Sequence, residues 1–266
     1  MSQAETPLFG GLVDGRVVRV GDTVRRPAGP WTPTIHALLA HLQSKGFPAP
    51  RPLGLDDKGR EVLSFLPGRC SFDPWPPALL ATSGARQVGA MLRAYHDAVA
   101  DFVPPDPPIW RHGPQALAPG EIVVHGDFGP HNLIWSDDAL CGVIDFEVAR
   151  PARPESDVVF AAVRAAHLRP GQLAKSIGFD SRPDRRSRLE AFAEGYGTSA
   201  AAILERAVAV REAELERIEQ LGAAGIEPWA TFMKRDLNTW LSQELVWFRA
   251  YVAASGVAAQ GASTHA

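Results

Sequence analysis

Between two short β-type runs, Ile122–Val124 and Leu133–Trp135, the chain holds His125-Gly126-Asp127-Phe128-Gly129-Pro130-His131-Asn132. Asp145 follows thirteen residues after Asn132, in Val143-Ile144-Asp145-Phe146-Glu147. One loop and one strand end therefore present two carboxylates and an amide, set in an otherwise helical stretch of sequence. Around this insert the pattern changes character. From Pro7 to Gly68 short apolar runs are broken by Gly, Asp and Pro, and Gly21-Asp22 is a two-residue hairpin signal between Arg16–Val20 and Thr23–Arg26. Ile35, Leu38, Leu39 and Leu42 give one helical face over Thr34–Lys45, ended by Gly46. Pro52–Leu55 and Glu61–Leu66 form a second strand pair, so residues 1–66 read as β-β-β-α-β-β. After Pro67-Gly68 helices dominate: Ala85–Phe102, Asp157–His167, Arg185–Gly195, Ala200–Leu221 and Trp229–Ala254. Gly142–Phe146 completes the central β-type runs. The expectation is an α+β fold with a small antiparallel β lobe at 1–66, a larger helical lobe at 67–266, and a cleft between them.

Hard oxygen donors suit Mg²⁺, and phosphoryl transfer asks of a protein little more than such ligands and a carboxylate to orient and deprotonate a hydroxyl. Asp127, Asn132 and Asp145 supply these parts. The Asp-x4-Asn spacing matches the protein-kinase catalytic loop, with Asp145 in the place of the later metal-binding Asp. HGDFGPHNLIW together with VIDFE resembles the aminoglycoside phosphotransferase and choline kinase-like family, whose members have a protein kinase-like two-lobe fold. The resemblance runs from Gly10 to about Val163. It implies Asp127 as catalytic base, Asn132 and Asp145 as Mg²⁺ ligands, ATP or GTP as phosphate donor and a small hydroxylated molecule as acceptor. It also implies that Glu61–Gly68 is an interlobe hinge in which the backbone of Ser64, Phe65 and Leu66 meets the purine. RRPAGPWTP, Arg25–Pro33, resembles a bacterial subset linked with antibiotic or toxin immunity.

Two features depart from the kinase pattern. The helix Thr34–Lys45 contains no Glu to hold a phosphate-binding Lys, with His36 the nearest polar candidate, and the strand Thr23–Pro27 offers arginines alone. A guanidinium holds phosphate oxygens well; strand alternation lets one of the two point into the cleft, and Arg25 is taken as the phosphate clamp with Arg26 as the alternative. The phosphate loop, with Gly10 and Gly11 in Gly10–Gly15, lacks the full G-x-G-x-x-G.

The remaining candidates have competing roles. His125 is expected to brace the loop backbone. His131 either faces the acceptor or fills the turn, and Glu147 is either a further ligand or an exposed acid. Asp157 stands at a helix start and reads as an N-cap. On the last helix, Leu237, Leu241, Leu245, Phe248 and Val252 form a core stripe, and Asp236, Trp240, Glu244, Trp247 and Tyr251 run one residue away. Acids among aromatics there make Trp240 and Glu244 candidates for holding a cationic acceptor. Glu205–Glu219, interleaved with arginines, reads as a solvated face, and Cys70 and Cys141 read as buried inert thiols.

With 27 Lys and Arg against 30 Asp and Glu, the net charge of −3 gives no global basic field for nucleic acid or an anionic membrane. No apolar run reaches membrane-spanning length and no leader pattern opens the chain, so a cytoplasmic protein is expected. Two other classes stay open: a catalytically silent nucleotide-binding or ligand-sequestering immunity module, and a metal-dependent hydrolase with His125, Asp127, His131 and Asp145 as ligands.

Overall fold

A computed structural model describes residues 4–8, 17–70, 74–113, 116–171, 174–180, 182–235 and 237–256. Gly10, Gly11 and the rest of the expected phosphate loop lie outside the described residues, as does Asp236. Five strands form the first sheet: β1 (Thr6–Pro7), β2 (Val18–Val20), β3 (Thr23–Pro27), then, beyond helix α1 (Thr32–Ser44), β4 (Pro52–Leu55) and β5 (Arg60–Ser64). Their spatial order is β1-β2-β3-β5-β4, all neighbours antiparallel. Pro33 sits in the first turn of α1, where its missing N–H has no helical partner to lose. Ile35, Leu38, Leu39 and Leu42 are buried on the face of α1 that the sequence marks as apolar.

The chain passes to the second lobe through Phe65–Arg69. Phe65 N–H still donates to Asp22 O at 2.9 Å, whereas Arg69 and Trp135 exchange two backbone bonds at 2.8 and 2.9 Å. Gly68 lies at φ +137°, and a Cβ there would stand 2.7 Å from Trp135 O, so this close approach requires glycine.

Helices α2 (Pro77–Leu80) and α3 (Thr82–Val99) follow, then β6 (Ile122–Val124), β7 (Leu133–Ser136), β8 (Ala139–Val143) and β9 (Arg150–Ala152), and finally α4 (Glu155–Ala165), α5 (Arg185–Tyr196), α6 (Ala200–Ala223), α7 (Trp229–Lys234) and α8 (Leu237–Ala254). Val88, Leu92, Tyr95 and Val99 put α3 at the centre of the core, against Phe128, Leu133, Trp135, Phe146 and Phe192. Burying each such side chain stabilises the fold by roughly 1.5–3 kcal/mol, which is why the loop flanked by Phe128 and Leu133 is anchored at both ends.

Several elements differ from the sequence reading. The strand expected over Gly142–Phe146 ends at Val143, because Asp145 adopts a left-handed conformation (φ 68°, ψ 58°) that no strand can continue through. β9 was not anticipated; it pairs antiparallel with β6, and its Pro151 disguises it. The single helix expected over Trp229–Ala254 is two, since Arg235 leaves the helical well (φ −103°, ψ 24°) and turns its N–H back to Phe232 O. Cys70 and Cys141 are exposed rather than buried: one follows the interlobe connection, the other lies in β8 with its thiol 3.2 Å from Ile134 O. The α6 face read as solvated is partly covered, with Arg211, Glu214 and Arg217 making inward or lateral ion pairs. Among the described residues no helix is long and apolar enough to cross a membrane.

Candidate active site

The loop after β6 begins at His125, which is fully buried. Its Nε2 faces Ile144 O at 3.0 Å and its Nδ1 accepts Asp127 N–H at 3.2 Å. Both ring nitrogens are thus engaged with backbone, which makes His125 the brace the sequence suggested and removes it from any metal-ligand set. Gly126 follows at φ +80°; an added Cβ would meet Arg150 Nη1 at 2.5 Å and Val148 O at 2.7 Å. Only glycine fits there, and it turns the backbone so that Asp127 projects outward.

Asp157 holds this turn from below. It is 1% exposed, and its carboxylate accepts His125 N–H at 2.7 Å and Gly126 N–H at 2.9 Å, with His96 Nε2 at 3.5 Å. The N-cap reading is therefore corrected. Pro154 occupies the cap of α4, and Asp157, one turn in, points away from the helix into the loop. Burial alone would raise the Asp157 carboxyl pKa; the His96 bond, the nearby His125 ring and the Gly126 N–H outweigh it and hold the group below its ordinary range.

Asp127 has a side chain 34% exposed. Its Oδ2 meets His131 Nε2 at 2.8 Å and accepts Asn132 Nδ2 at 3.0 Å, and Asn132 Nδ2 also reaches Asp127 O at 2.9 Å. These bonds fix the carboxylate through one oxygen and leave Oδ1 out of the network. They use the asparagine's nitrogen, and its amide oxygen takes no hydrogen bond among the described residues. Asn132 O in turn accepts Ile144 N–H at 2.9 Å, which ties the segment carrying Asp145 to the loop.

Asp145 faces the β lobe. Its Oδ1 accepts Arg26 Nη1 at 2.8 Å, and Arg26 also pairs with Glu147 and, through Nε at 3.2 Å, with Glu61. Glu61 Oε1 meets His36 Nε2 at 3.0 Å. Burial works to raise the Asp145 pKa, while Arg26, then His125 and His131, outweigh it and hold the carboxyl low. Burial likewise opposes the charge of Arg26, and Asp145, Glu147 and Glu61 more than restore it. Glu147, left open by sequence, bridges Arg26 and Arg111.

The arginine facing this acid cluster is Arg26, the alternative to Arg25. The β3–β5 register pairs Arg26 with Glu61 and Arg25 with Val62, so the two arginines leave on opposite faces. Arg25 bonds Thr23 Oγ1 on its own face and lies 3.6 Å from Asp56. The acid that the helix lacks is supplied by strand β5, with His36 of α1 on its other oxygen. Sequence alone carried no register from which to find Glu61.

At the hinge, Ser64 N–H is bonded to Arg51 O and Phe65 N–H to Asp22 O, while Ser64 Oγ accepts Arg51 N–H. Of the three residues expected to meet a purine, Leu66 alone has a backbone N–H outside these bonds among the described residues.

Trp240 and Glu244, the residues expected to meet a cationic acceptor, both lie against arginines. Glu244 is 3% exposed and gives both oxygens to arginines, Arg169 at 3.0 Å and Arg211 at 2.6 Å; Trp240, 38% exposed, lies under the Arg169 guanidinium. A cavity of about 430 Å³ does reach α8, but its walls include Phe179, Arg185 and Trp247. Leu245, Phe248 and Val252 are buried as the core stripe requires, and Trp247 stacks on Tyr251.

Asn132 and Asp145 carry hard oxygen donors of the kind Mg²⁺ takes alongside nucleotide phosphates. Asp145 keeps Oδ2 outside the Arg26 bond, so the residues present fit such an ion.

Comparison with known proteins places this geometry in context. A model of the phosphotransferase enzyme family matches residues 106–200, which contain the His125–Asn132 loop, Asp145 and Asp157. The trifolitoxin immunity protein of Rhizobium leguminosarum bv. trifolii is 36% identical over 189 residues, covering 69% of this chain and 70% of the relative. A homoserine kinase of Granulibacter bethesdensis is 28% identical over 171 residues, 48% of this chain and 52% of that protein, so the chain spans about half the kinase's length. Among solved structures, a choline/ethanolamine kinase family protein from Mesorhizobium loti superposes with a TM-score of 0.57 at 16% identity, over 93% of this chain and 92% of that one. The gentamicin complex of APH(2")-IIa gives 0.55 at 12% identity, over 91% of each chain. These likenesses establish a protein kinase-like α+β fold, and with the sequence relatives they show that this chain belongs to the phosphotransferase enzyme family.

Proposed function

We propose that the protein transfers the γ-phosphate of ATP or GTP to a hydroxyl of a small molecule. The observation that carries this reading is the state of Asp127: its Oδ2 is fixed by His131 and Asn132, and Oδ1 is left for an acceptor hydroxyl. In the proposed step Asp127 takes the hydroxyl proton, the acceptor oxygen forms a bond to the γ-phosphorus, and the bond from that phosphorus to the β–γ bridging oxygen breaks to release the nucleoside diphosphate. Asn132, through its amide oxygen, and Asp145 would hold Mg²⁺, which neutralises charge on the phosphates. Arg26, freed from part of its acid cluster, would clamp phosphate oxygens, and the purine would lie against the hinge at Leu66. The boundary between the nucleotide-binding lobe, 1–66, and the lobe carrying base and acceptor, 67–266, is supported by the change of backbone partners between Phe65 and Arg69. Gly10 and Gly11 remain proposed contacts of the nucleotide phosphates.

Two named relatives bear on the acceptor. The homoserine kinase is named for a small hydroxylated substrate, and the immunity protein is compatible with protection against a toxic compound. A second reading, a silent module that binds nucleotide or sequesters a ligand, is favoured by one observation: Arg26 already neutralises Asp145 and Glu147. A nucleotide-release screen with ATP and GTP in Mg²⁺ separates the two. Aminoglycosides, nucleoside antibiotics, macrolides, amino alcohols and homoserine serve as acceptors, and mass spectrometry looks for a product heavier by one phosphoryl group. Turnover with such a product supports the transferase. Tight nucleotide binding with no product from any acceptor, and no release above the rate in buffer, supports the silent module.

A further inference from the structure

Three arginines gather beside the catalytic loop from separate parts of the helical lobe: Arg164 in the last turn of α4, Arg169 just beyond it, and Arg211 in α6. A single carboxylate serves two of them. Glu244 takes Arg169 Nε and Nη2 on Oε2 at 3.2 and 3.0 Å, and Arg211 Nη2 on Oε1 at 2.6 Å. Arg211 Nε is buried without a partner among the described residues. Arg164 has no carboxylate within ion-pair distance among the described residues; its guanidinium lies 3.3 Å above the Phe160 ring, and its closest polar contact is Phe160 O at 3.4 Å.

Arg164 also runs along the loop that carries the base. A Cβ added at Gly129 would stand 3.2 Å from Arg164 Cδ and 2.8 Å from His131 Cε1, and His131 is the residue bonded to Asp127. Burial and the charges of Arg169 and Arg211 push the Arg164 pKa down to about 9, with Asp127 and Glu244 acting in the other direction. A guanidinium keeps its proton throughout the neutral range, so this crowding is not relieved by deprotonation. Asp127 and Glu214 are the other carboxylates that act on Arg164, but Glu244 is bonded to Arg169 and Arg211 and Arg164 alone of the three arginines lacks a carboxylate partner among the described residues. An oxyanion would be drawn in, because the planar fork of Arg164 matches carboxylate or phosphate oxygens.

We propose that Arg164, backed by Arg169 and Arg211, is an acceptor subsite for a small oxyanion, so that the molecule phosphorylated carries a carboxylate or phosphate group near its reacting hydroxyl. The assignment to the acceptor rests on the reading of Asp127 as base; the anion site itself is testable without it.

Inorganic phosphate, acetate and choline are titrated by calorimetry into the full chain in the absence of nucleotide, at constant ionic strength. The same titrations are run on Arg164→Gln, Arg164→Lys, Arg26→Gln and Arg25→Gln, with melting temperatures to confirm folding. Saturable binding of an anion is expected in the wild type, weakened about tenfold or more by Arg164→Gln, less by Arg164→Lys, and unchanged by Arg25→Gln, with no binding of choline. Phosphate tighter than acetate points to a phosphorylated acceptor, and acetate at least as tight points to a carboxylate. The proposal is overturned by absence of saturable anion binding, by loss of binding in Arg26→Gln with Arg164→Gln unaffected, or by choline binding in preference to both anions. Because no nucleotide is present, anion binding at Arg164 without any phosphoryl transfer would refute the transferase reading alone.

Discussion

The His125–Asn132 loop and the arginine cluster beside it are built on opposite plans. In the loop, Asp127, the proposed base, and its partners His131 and Asn132 all come from residues 125–132, and bonds to Asp157, Ile144 and His125 hold them. The cluster draws Arg164, Arg169, Arg211 and Glu244 from separate parts of the helical lobe; Glu244 holds Arg169 and Arg211 through charge, and Arg164 stacks on the Phe160 ring. The first plan fixes a constellation through local spacing and one buried acid, so its residues stand in one short segment. The second lets separate helices set the charge next to that segment.

The comparison is broken most severely at the strand end opposite the loop. Asp145→Ala should abolish Mg²⁺-dependent nucleotide binding, a loss of about a hundredfold or more, roughly 2.7 kcal/mol, measured by calorimetry with and without Mg²⁺. Unchanged Mg²⁺ dependence would remove Asp145 from the metal site. Asp157→Ala attacks the loop's support: the buried His125 and Gly126 N–H groups lose their acceptor, at about 1–3 kcal/mol each, read as a lower midpoint of urea unfolding. Loss of activity at full stability would mean that Asp157 acts other than as a brace. Arg26→Ala should raise the nucleotide KM about tenfold, while Arg25→Ala, on the opposite face, should leave it nearly unchanged; equal effects would contradict the β3 register.

The smallest effect is on pH. Burial first, then Arg111 beside His112 and Arg185 beside His167, lowers both imidazoles from 6.5 to about 4. The folded state therefore binds fewer protons than the unfolded state between these values, and the stability present above pH 6.5 declines as pH falls toward 4. The slope is at most about 1.4 kcal/mol per pH unit for each ring. A melting temperature flat across that window in His112→Asn, His167→Asn and wild type alike would show that neither ring contributes.

What the sequence made legible follows the same division. The β-β-β-α-β-β order, the apolar faces of α1 and α3, and the loop residues Asp127 and Asn132 could be read because period and spacing are local properties. Arg26 over Arg25, and Glu61 as its partner, depended on which residues oppose each other across β3 and β5. By sequence Glu244 is an acid among aromatics suited to a cationic acceptor, and only α6 and the segment after α4 reveal the arginines on both its oxygens. Asp157 stood where caps stand, and only the packing of α4 beneath the loop shows that it faces the other way. Charge pairs between distant elements leave no periodic trace.

Asp127 as the base of a working transferase is tested most directly by single-turnover transfer from γ-labelled nucleotide, with Mg²⁺, to an acceptor identified in the screen. Wild type and Asp127→Asn are compared under conditions in which nucleotide binding is saturated. The account predicts label in the wild-type acceptor and a rate lower by about 10²- to 10⁴-fold in Asp127→Asn, with nucleotide affinity retained. A variant keeping more than about a tenth of the wild-type rate would contradict it.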